Sequence, residues 1–384
     1  MRHMFVRRAR LIASWIFILA GALFFSGCPN PPLEHARITP VRSTDPLIPQ
    51  ATPTQEQGLQ TVIVPSDKIL PALVERQASI LPEEKLQLPG GLLPVQAWAG
   101  VCGFDDIRMI QKEYPQTLEL NSAQGKLDLT IGQRFARWNG MNIGLGFAPQ
   151  LQQGQVALHS LDVVKNVYPM VMGALPLLRE PRVLVIDPGH GGRDSGSKHY
   201  NRGLYEKELT LDWAFRIEKL LTNTAWQVVL TRRNDREVGL MERVQIAQTN
   251  QAALFISLHF NSLENGNGGN DETGIETYCL TPAGLPSNIK RDYEDDPRRV
   301  FPNNDFDNEN FLLAMRIQSN LVKLTNRRDR GVRRARFMTV LREQKRPAAL
   351  VEGGYLSNPA EANLIAQPQF RDQLARAVVD ALPN

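Results

Sequence analysis

Three features are scarce in this sequence, and each scarcity excludes something. The chain of 384 residues has only 3 cysteines, too few for a disulfide-stapled scaffold. No apolar run is long enough to cross a bilayer comfortably. The longest, Leu11 to Phe25, falls short of the roughly 20 residues a spanning helix needs. Surplus charge is also missing from most of the chain. Residues 1–27 hold Arg2, Arg7, Arg8 and Arg10 and no acid, so 40 basic and 40 acidic residues remain beyond them, although the whole chain is formally +4. With no excess cation to neutralise phosphates, a nucleic-acid partner is excluded. Histidine is also uncommon, with 6 in the chain, so two of them in similar settings carry weight.

A basic start, the short apolar run and small residues before Cys28 read as an export signal. Phe25-Ser26-Gly27-Cys28 resembles the lipobox of bacterial lipoproteins, departing from it at Phe25, where Leu is usual. The resemblance implies a signal peptide over 1–27 and acylation of Cys28. Several acyl chains there would anchor the chain firmly to a membrane, facing the periplasm. Pro29 after the cysteine implies the outer membrane where the host has one. Residues 28–90 follow as a tether, 29–89 holding 11 of the 26 prolines. Proline at that density blocks helix and removes backbone donors, so disorder is expected apart from a short piece near 62–74.

From 91 the pattern becomes ordered. Leu118 and Leu120, then Leu127, Leu129 and Ile131, alternate with polar residues around a turn at 122–125, which predicts a hairpin. Trp138-Asn139-Gly140 marks a second turn, and Ser160 to Val167 a short capped helix. Residues 91–175 read as a small α+β accessory domain. Its "IGQRFARWNG", "LQQGQVAL" and "SLDVVKNV" resemble the copper amine oxidase-like N-terminal module found beside cell-envelope enzymes. No copper site accompanies them, His159 being the one histidine in the region.

Residues 182–384 alternate strand and helix. Val183–Ile186, Val228–Leu230, Leu254–Ile256, Ile275–Leu280 and Ala348–Val351 read as buried strands. Helical faces recur at Leu209-Trp213-Ile217-Leu220, Leu240-Val244-Ala247, Ala314-Ile317-Leu321-Leu324 and near 370–382. This order predicts an α/β fold with a largely parallel sheet flanked by helices. Residues 281–309 interrupt it with charge, Pro and Asn, and read as a surface insertion.

His190, His259 and Glu352 each directly follow one of these strands. Ligands in open α/β sheets bind beyond the carboxyl ends of strands, so the three point to one site. Two imidazoles and a carboxylate with an open fourth position make a catalytic zinc set. The third ligand is Glu206 or Glu208, two apart at a helix start and therefore on different sides. Glu352 fits a general acid/base by position. Taken singly, each has a plain reading: a polar strand end, or a Glu complementing a helix dipole. His199 lies in the loop before Glu206 and reads as a surface residue, and neither His35 nor His159 is assigned a role. Cys102 and Cys279 read as unpaired, partly buried thiols.

At these residues the chain resembles the zinc-dependent N-acetylmuramoyl-L-alanine amidases that cleave bacterial peptidoglycan. The matching motifs span 182–375: "VLVIDPGHGGRDSG", "GLYEKELTL", "VVLTRRNDREVGLMERVQIAQTN", "LFISLHFNS", "GIETYCL", "RGVRRARFMTVLR" and "ALVEGGYLSNPAEANLI". The resemblance implies that His190, Glu206 and His259 bind Zn2+, the "EK" match selecting Glu206 over Glu208. It also implies that Glu352 is the catalytic acid/base and that the amide between muramic acid and L-Ala is hydrolysed. Lys198-His199-Tyr200-Asn201 and Tyr355 depart from the usual pattern without removing a ligand. Peptidoglycan and a membrane are the expected partners, with room for a protein activator. Autoinhibition through 281–309 stays open. A zinc peptidase acting on the stem peptide, and a non-catalytic wall-binding lipoprotein, are the competing readings.

Overall fold

The computed structural model describes residues 88–175, 180, 182–198, 203–263, 272–290 and 295–383. The expected signal peptide, Cys28, the tether up to residue 87 with its 62–74 piece, His35 and His199 lie outside the described residues. The described residues belong to one compact unit, Val64–Asn384.

Alternation and unbroken apolar runs divide the strands as their burial requires. In 91–175, β1 (Leu92–Pro94) leads to a short helix α1 (Val95–Trp98) and then to a meander: β2 (Phe104–Gln111), β3 (Thr117–Ser122), β4 (Gly125–Thr130), β5 (Phe135–Trp138) and β6 (Met141–Gly144). β7 (Gln150–Gln152) and β8 (Gln155–His159) pair with β1 in a separate three-stranded sheet, and α2 (Ser160–Asp162) and α3 (Tyr168–Met172) flank a π turn. One meander face is core, built on Leu118, Leu120, Leu127, Leu129, Ala136 and Ile143, and the other faces outward.

Beyond 182 come β9 (Arg182–Pro188), α4 (Glu206–Leu221), β10 (Trp226–Leu230), α5 (Leu240–Thr249), β11 (Leu254–Asn261), β12 (Ile275–Leu280), α6 (Asp307–Thr325), β13 (Asp329–Ala335), α7 (Thr339–Arg342), β14 (Ala348–Tyr355), α8 (Pro359–Ile365) and α9 (Pro368–Ala381). Leu184, Ile186, Leu254, Ile256 and Val351 face α4, α6 and α9, while Val183, Val185, Phe255, Ala348 and Leu350 face α5 and α7. Burial on both sides explains why these strands read as continuous apolar runs.

One expectation is overturned. The sheet is mixed, not largely parallel. β10, β9, β11 and β14 run parallel, but β12 pairs antiparallel with β14, and β13 runs parallel to β12. The sheet then continues through Val332 opposite Ile143 into β6-β5-β4-β3-β2, all antiparallel, giving eleven strands in one order. Hydropathy reports burial and not direction: β12 is buried at every residue, as a parallel strand would be. β13 escaped notice because three of its seven residues are arginine.

The 281–309 segment is also more than a surface insertion. Leu285, Ser287 and Asn303 are buried. Asn288 exchanges backbone and side-chain bonds with Arg334 at 2.9 Å and donates to the Leu145 carbonyl at 2.8 Å. These contacts lie at the Leu280–Ala335 end of β12 and β13, while Glu276 pairs with Glu352 at the other end.

The turn after β9 is held by a buried ionic node. Asp187 accepts hydrogen bonds from Thr231 at 2.6 Å, Ser257 at 2.8 Å and Arg243 at 2.5 Å. Burial pushes its carboxyl up, but Arg243 and these bonds win and hold it below the usual range. Arg243 also donates to the carbonyls of Pro188 at 3.0 Å and His190 at 2.9 Å. Removing one member of such a pair strands a buried charge, at about 3–5 kcal/mol. Asp187→Ala should therefore lower stability by that amount in denaturant unfolding. A change within about 0.5 kcal/mol, typical of surface sites, would show the node to be dispensable.

Candidate active site

Each site residue sits where a strand or helix ends. His190 follows β9 with φ +62°, a left-handed conformation that a non-glycine residue seldom adopts and that clusters at functional sites. Two glycines make room. A Cβ at Gly189 would lie 2.3 Å from the His259 ring, and one at Gly196 would lie 2.6 Å from both Glu206 and His190.

Glu206 opens α4 and is 2% exposed. Its Oε1 lies 3.1 Å from His190 Nε2 and 3.0 Å from His259 Nδ1, and accepts the Phe260 N–H at 2.9 Å. Its Oε2 accepts the Ser197 N–H at 2.8 Å. Burial alone would raise this carboxyl, but hydrogen bonds and charge from His190 and His259 pull it well below the usual range. Glu208 diverges: it is exposed, and its carboxylate accepts the Tyr205 N–H at 3.2 Å, capping the helix. His190 Nδ1 meets Asp194 at 2.8 Å, an arrangement that fixes the tautomer and turns Nε2 inward.

Three donors thus converge, one atom from each of His190, Glu206 and His259, all within 4.8 Å of one another; among the described residues no other such cluster is found. The two separations from Glu206 Oε1, 3.0 and 3.1 Å, are close to the roughly 3.3 Å edge of a tetrahedron with bonds of about 2.0–2.1 Å. The donor set, nitrogen and oxygen together, is the kind zinc takes.

Glu352 stands beside this cluster. It is in register with His259 on the parallel neighbour β11 and with Glu276 on the antiparallel neighbour β12, so the three share one sheet face. Its Oε2 is buried without a hydrogen-bond partner. Burial, then the negative charges of Glu206 and Glu276, push its carboxyl well above the usual range.

The sequence reading named the four central residues and missed their supports. Glu276, 2% exposed, is held by Asn261 at 2.6 Å, Tyr278 at 2.9 Å and Arg333 at 2.8 Å. Arg232, buried behind His190, donates to the Pro188 carbonyl at 3.0 Å and the Gly189 carbonyl at 2.9 Å. A signal existed: an acid inside an apolar strand has to be paired. His159 lies elsewhere, stacked on Phe147 and capping α2. Cys102 and Cys279 are free and buried.

The family model for N-acetylmuramoyl-L-alanine amidase matches residues 184–384. The N-acetylmuramoyl-L-alanine amidase LytC of Bacillus subtilis (strain 168) is 32% identical over 245 residues, covering 63% of this chain and 43% of LytC. The chain therefore spans less than half of that relative. YqiI of the same organism, an uncharacterized protein, is 32% identical over 216 residues, 56% of this chain and 89% of YqiI. The solved catalytic domain of CwlV, an N-acetylmuramoyl-L-alanine amidase from Bacillus(Paenibacillus) polymyxa var. colistinus, aligns over 52% of this chain and 95% of its own. Its identity is 32% and the TM-score 0.42.

The raised carboxyl of Glu352 has a consequence for stability. The folded chain keeps a proton there that the unfolded chain releases near the ordinary value of about 4.3. Above that pH the unfolded state binds fewer protons, so stability falls as pH rises toward the folded value. In metal-stripped protein, Glu352→Gln should flatten this fall in denaturant midpoints between about pH 5 and 8. An identical slope in both proteins would mean that Glu352 ionises normally.

Proposed function

The chain belongs to the N-acetylmuramoyl-L-alanine amidase family, and from that premise we propose that it is a zinc enzyme hydrolysing the amide between N-acetylmuramic acid and L-alanine in peptidoglycan. The observation that carries this reading is the convergence of His190, Glu206 and His259 beside the unpartnered carboxyl of Glu352. Held by those three residues, zinc would supply a Lewis acid that polarises a carbonyl and brings the pKa of a water toward neutrality.

The chain's own residues do the rest. Asp194 orients the His190 ring, and Arg232 and Arg243 fix the carbonyls of the turn that carries it. Glu206 completes the donor set between the two imidazoles, its other oxygen held by the Ser197 N–H. Glu352 takes the proton of the attacking water and gives it to the departing L-alanine amine. Burial and two negative neighbours raise its affinity for a proton, so the ionised carboxylate is a stronger acceptor for the water's proton and holds it until the amine departs.

We further propose that Cys28 is acylated and holds the enzyme at a membrane facing the periplasm, the outer membrane where there is one. A flexible tether over 29–89 would reach roughly 40–50 Å on average, about 5–6 Å times the square root of its length. That reach lets an anchored enzyme search a polymer that is not itself in the membrane.

Glu352→Gln should retain zinc and lose about a hundredfold or more in turnover on purified peptidoglycan. His190→Ala, His259→Ala and Glu206→Ala should each lower zinc content, and Glu208→Ala should not. New L-Ala amino termini on released stem peptides identify an amidase; internal stem cleavage would replace this reading with a peptidase. For the anchor, a metabolic fatty-acid label should enter the wild-type chain and not Cys28→Ala. An unlabelled wild-type chain would remove lipidation from the account.

A further inference from the structure

Two straps join the turn that carries His190 to the turn of α4 that carries Glu206, and neither uses a donor atom of the cluster. The inner strap is Arg232. Its Nη2 donates to the Gly189 carbonyl at 2.9 Å and to the Lys207 carbonyl at 2.7 Å. One guanidinium nitrogen therefore spans the residue before His190 and the residue after Glu206. The outer strap is the pair Lys207 and Asp235. Lys207 Nζ donates to the Gly192 carbonyl at 2.9 Å and to Asp235 Oδ2 at 2.7 Å, while Asp235 Oδ1 accepts the Gly192 N–H at 2.8 Å. Both backbone groups of Gly192, two residues beyond His190, are thus taken up by this one pair.

The packing is as close as the hydrogen bonding. Gly192 has φ +63°, and a Cβ there would lie 2.6 Å from the Glu237 backbone nitrogen. A Cβ at Gly191 would collide with the Arg236 carbonyl. The loop that carries Asp235 therefore lies directly against the His190 turn, with no side chain between them.

We propose that Lys207 and Asp235 are positioning residues for the metal: with Arg232 they set the distance between the His190 and Glu206 donors. The proposal rests on the zinc reading above. His190 lies beyond the end of β9 and Glu206 at the first position of α4, so ladder pairing fixes neither. His259 needs no strap, because its strand is paired with β9 on one side and β14 on the other. An exposed ion pair contributes little by itself. The use of this one lies in its second bonds. Both members close on the same glycine, so the start of α4 cannot slide along the His190 turn without breaking them. Groups that hold metal ligands from behind typically change metal affinity 10- to 100-fold.

The test titrates the metal-free full chain with Zn2+ against a competing chelator, and separately with Co2+, whose visible absorption reports ligand geometry. Lys207→Met and Asp235→Ala should each weaken zinc binding by about tenfold or more and alter the cobalt spectrum. Asp235→Asn keeps an oxygen for the Gly192 N–H and loses only a surface ion pair, so it should stay within about threefold of wild type. The double variant, Lys207→Met with Asp235→Ala, should lose less than the product of the single losses, because both bonds act through Gly192. Asp235 is 57% exposed, so Asp235→Ala can be read even if Lys207→Met does not fold. Unfolding midpoints of the metal-free proteins are measured alongside. Lowered midpoints with unchanged zinc affinity and unchanged cobalt spectra would make the pair merely structural and overturn the proposal. A wild-type chain that takes up no zinc would overturn the zinc reading and this inference with it. Equal zinc affinity in the wild type and both single variants would overturn this inference alone.

Discussion

Asp187 carries a negative charge to the end of a strand that is apolar on both faces, and the site is arranged around the need to compensate it. Arg243 supplies the charge, Thr231 and Ser257 the remaining hydrogen bonds. The same guanidinium then reaches the carbonyls of Pro188 and His190, so neutralising the acid also fixes the turn. That turn holds His190 at a positive φ, which neighbours have to impose because the residue does not favour it. From there Asp194 sets the ring, and Glu206 ties His190 to His259 on the next strand. The donor cluster is the outer end of a chain of interactions that begins at a buried ion pair.

A second constraint is the period of two along a strand. Because β11, β14 and β12 are in register at His259, Glu352 and Glu276, two acids and an imidazole stand in a row on one face. Glu276 is stabilised by Arg333, Asn261 and Tyr278, whereas Glu352 has burial and two like charges and no compensating donor on one oxygen. Of two glutamates on adjacent strands, one is thus held by its donors in a structural place, while burial and like charge raise the carboxyl of the other and suit it to proton transfer.

Much of this was legible in the sequence. Scarce histidines at strand ends, glycines beside one of them and acids at a helix start are short-range patterns, and they pointed to His190, His259, Glu352 and either Glu206 or Glu208, the family resemblance choosing Glu206. Strand direction was not legible. Ile275–Leu280 is buried at every position, and burial alone cannot say that it runs antiparallel to β14. The arginines were hidden for a related reason. Arg232, Arg243 and Arg333 look like surface residues until tertiary contacts show which carbonyls and acids they meet. The 281–309 segment reads as polar loop because its buried residues, Leu285, Ser287 and Asn303, have no shared period.

The bridge between Val332 and Ile143 joins positions almost half the chain apart. Beneath the meander, Leu120, Leu127, Leu129 and Ile143 share their core with Phe311, Ala314 and Met315 of α6. The hairpins of the meander are local and can pair early. Residues 93–98 and 156–171 cover part of their apolar underside, and the cover is complete only when residues beyond 307 arrive, so a partly synthesised chain exposes the rest. Such long-range closure slows folding and lengthens the time in which that underside can be captured by other chains. A chain shielded until α6 is available would escape that capture.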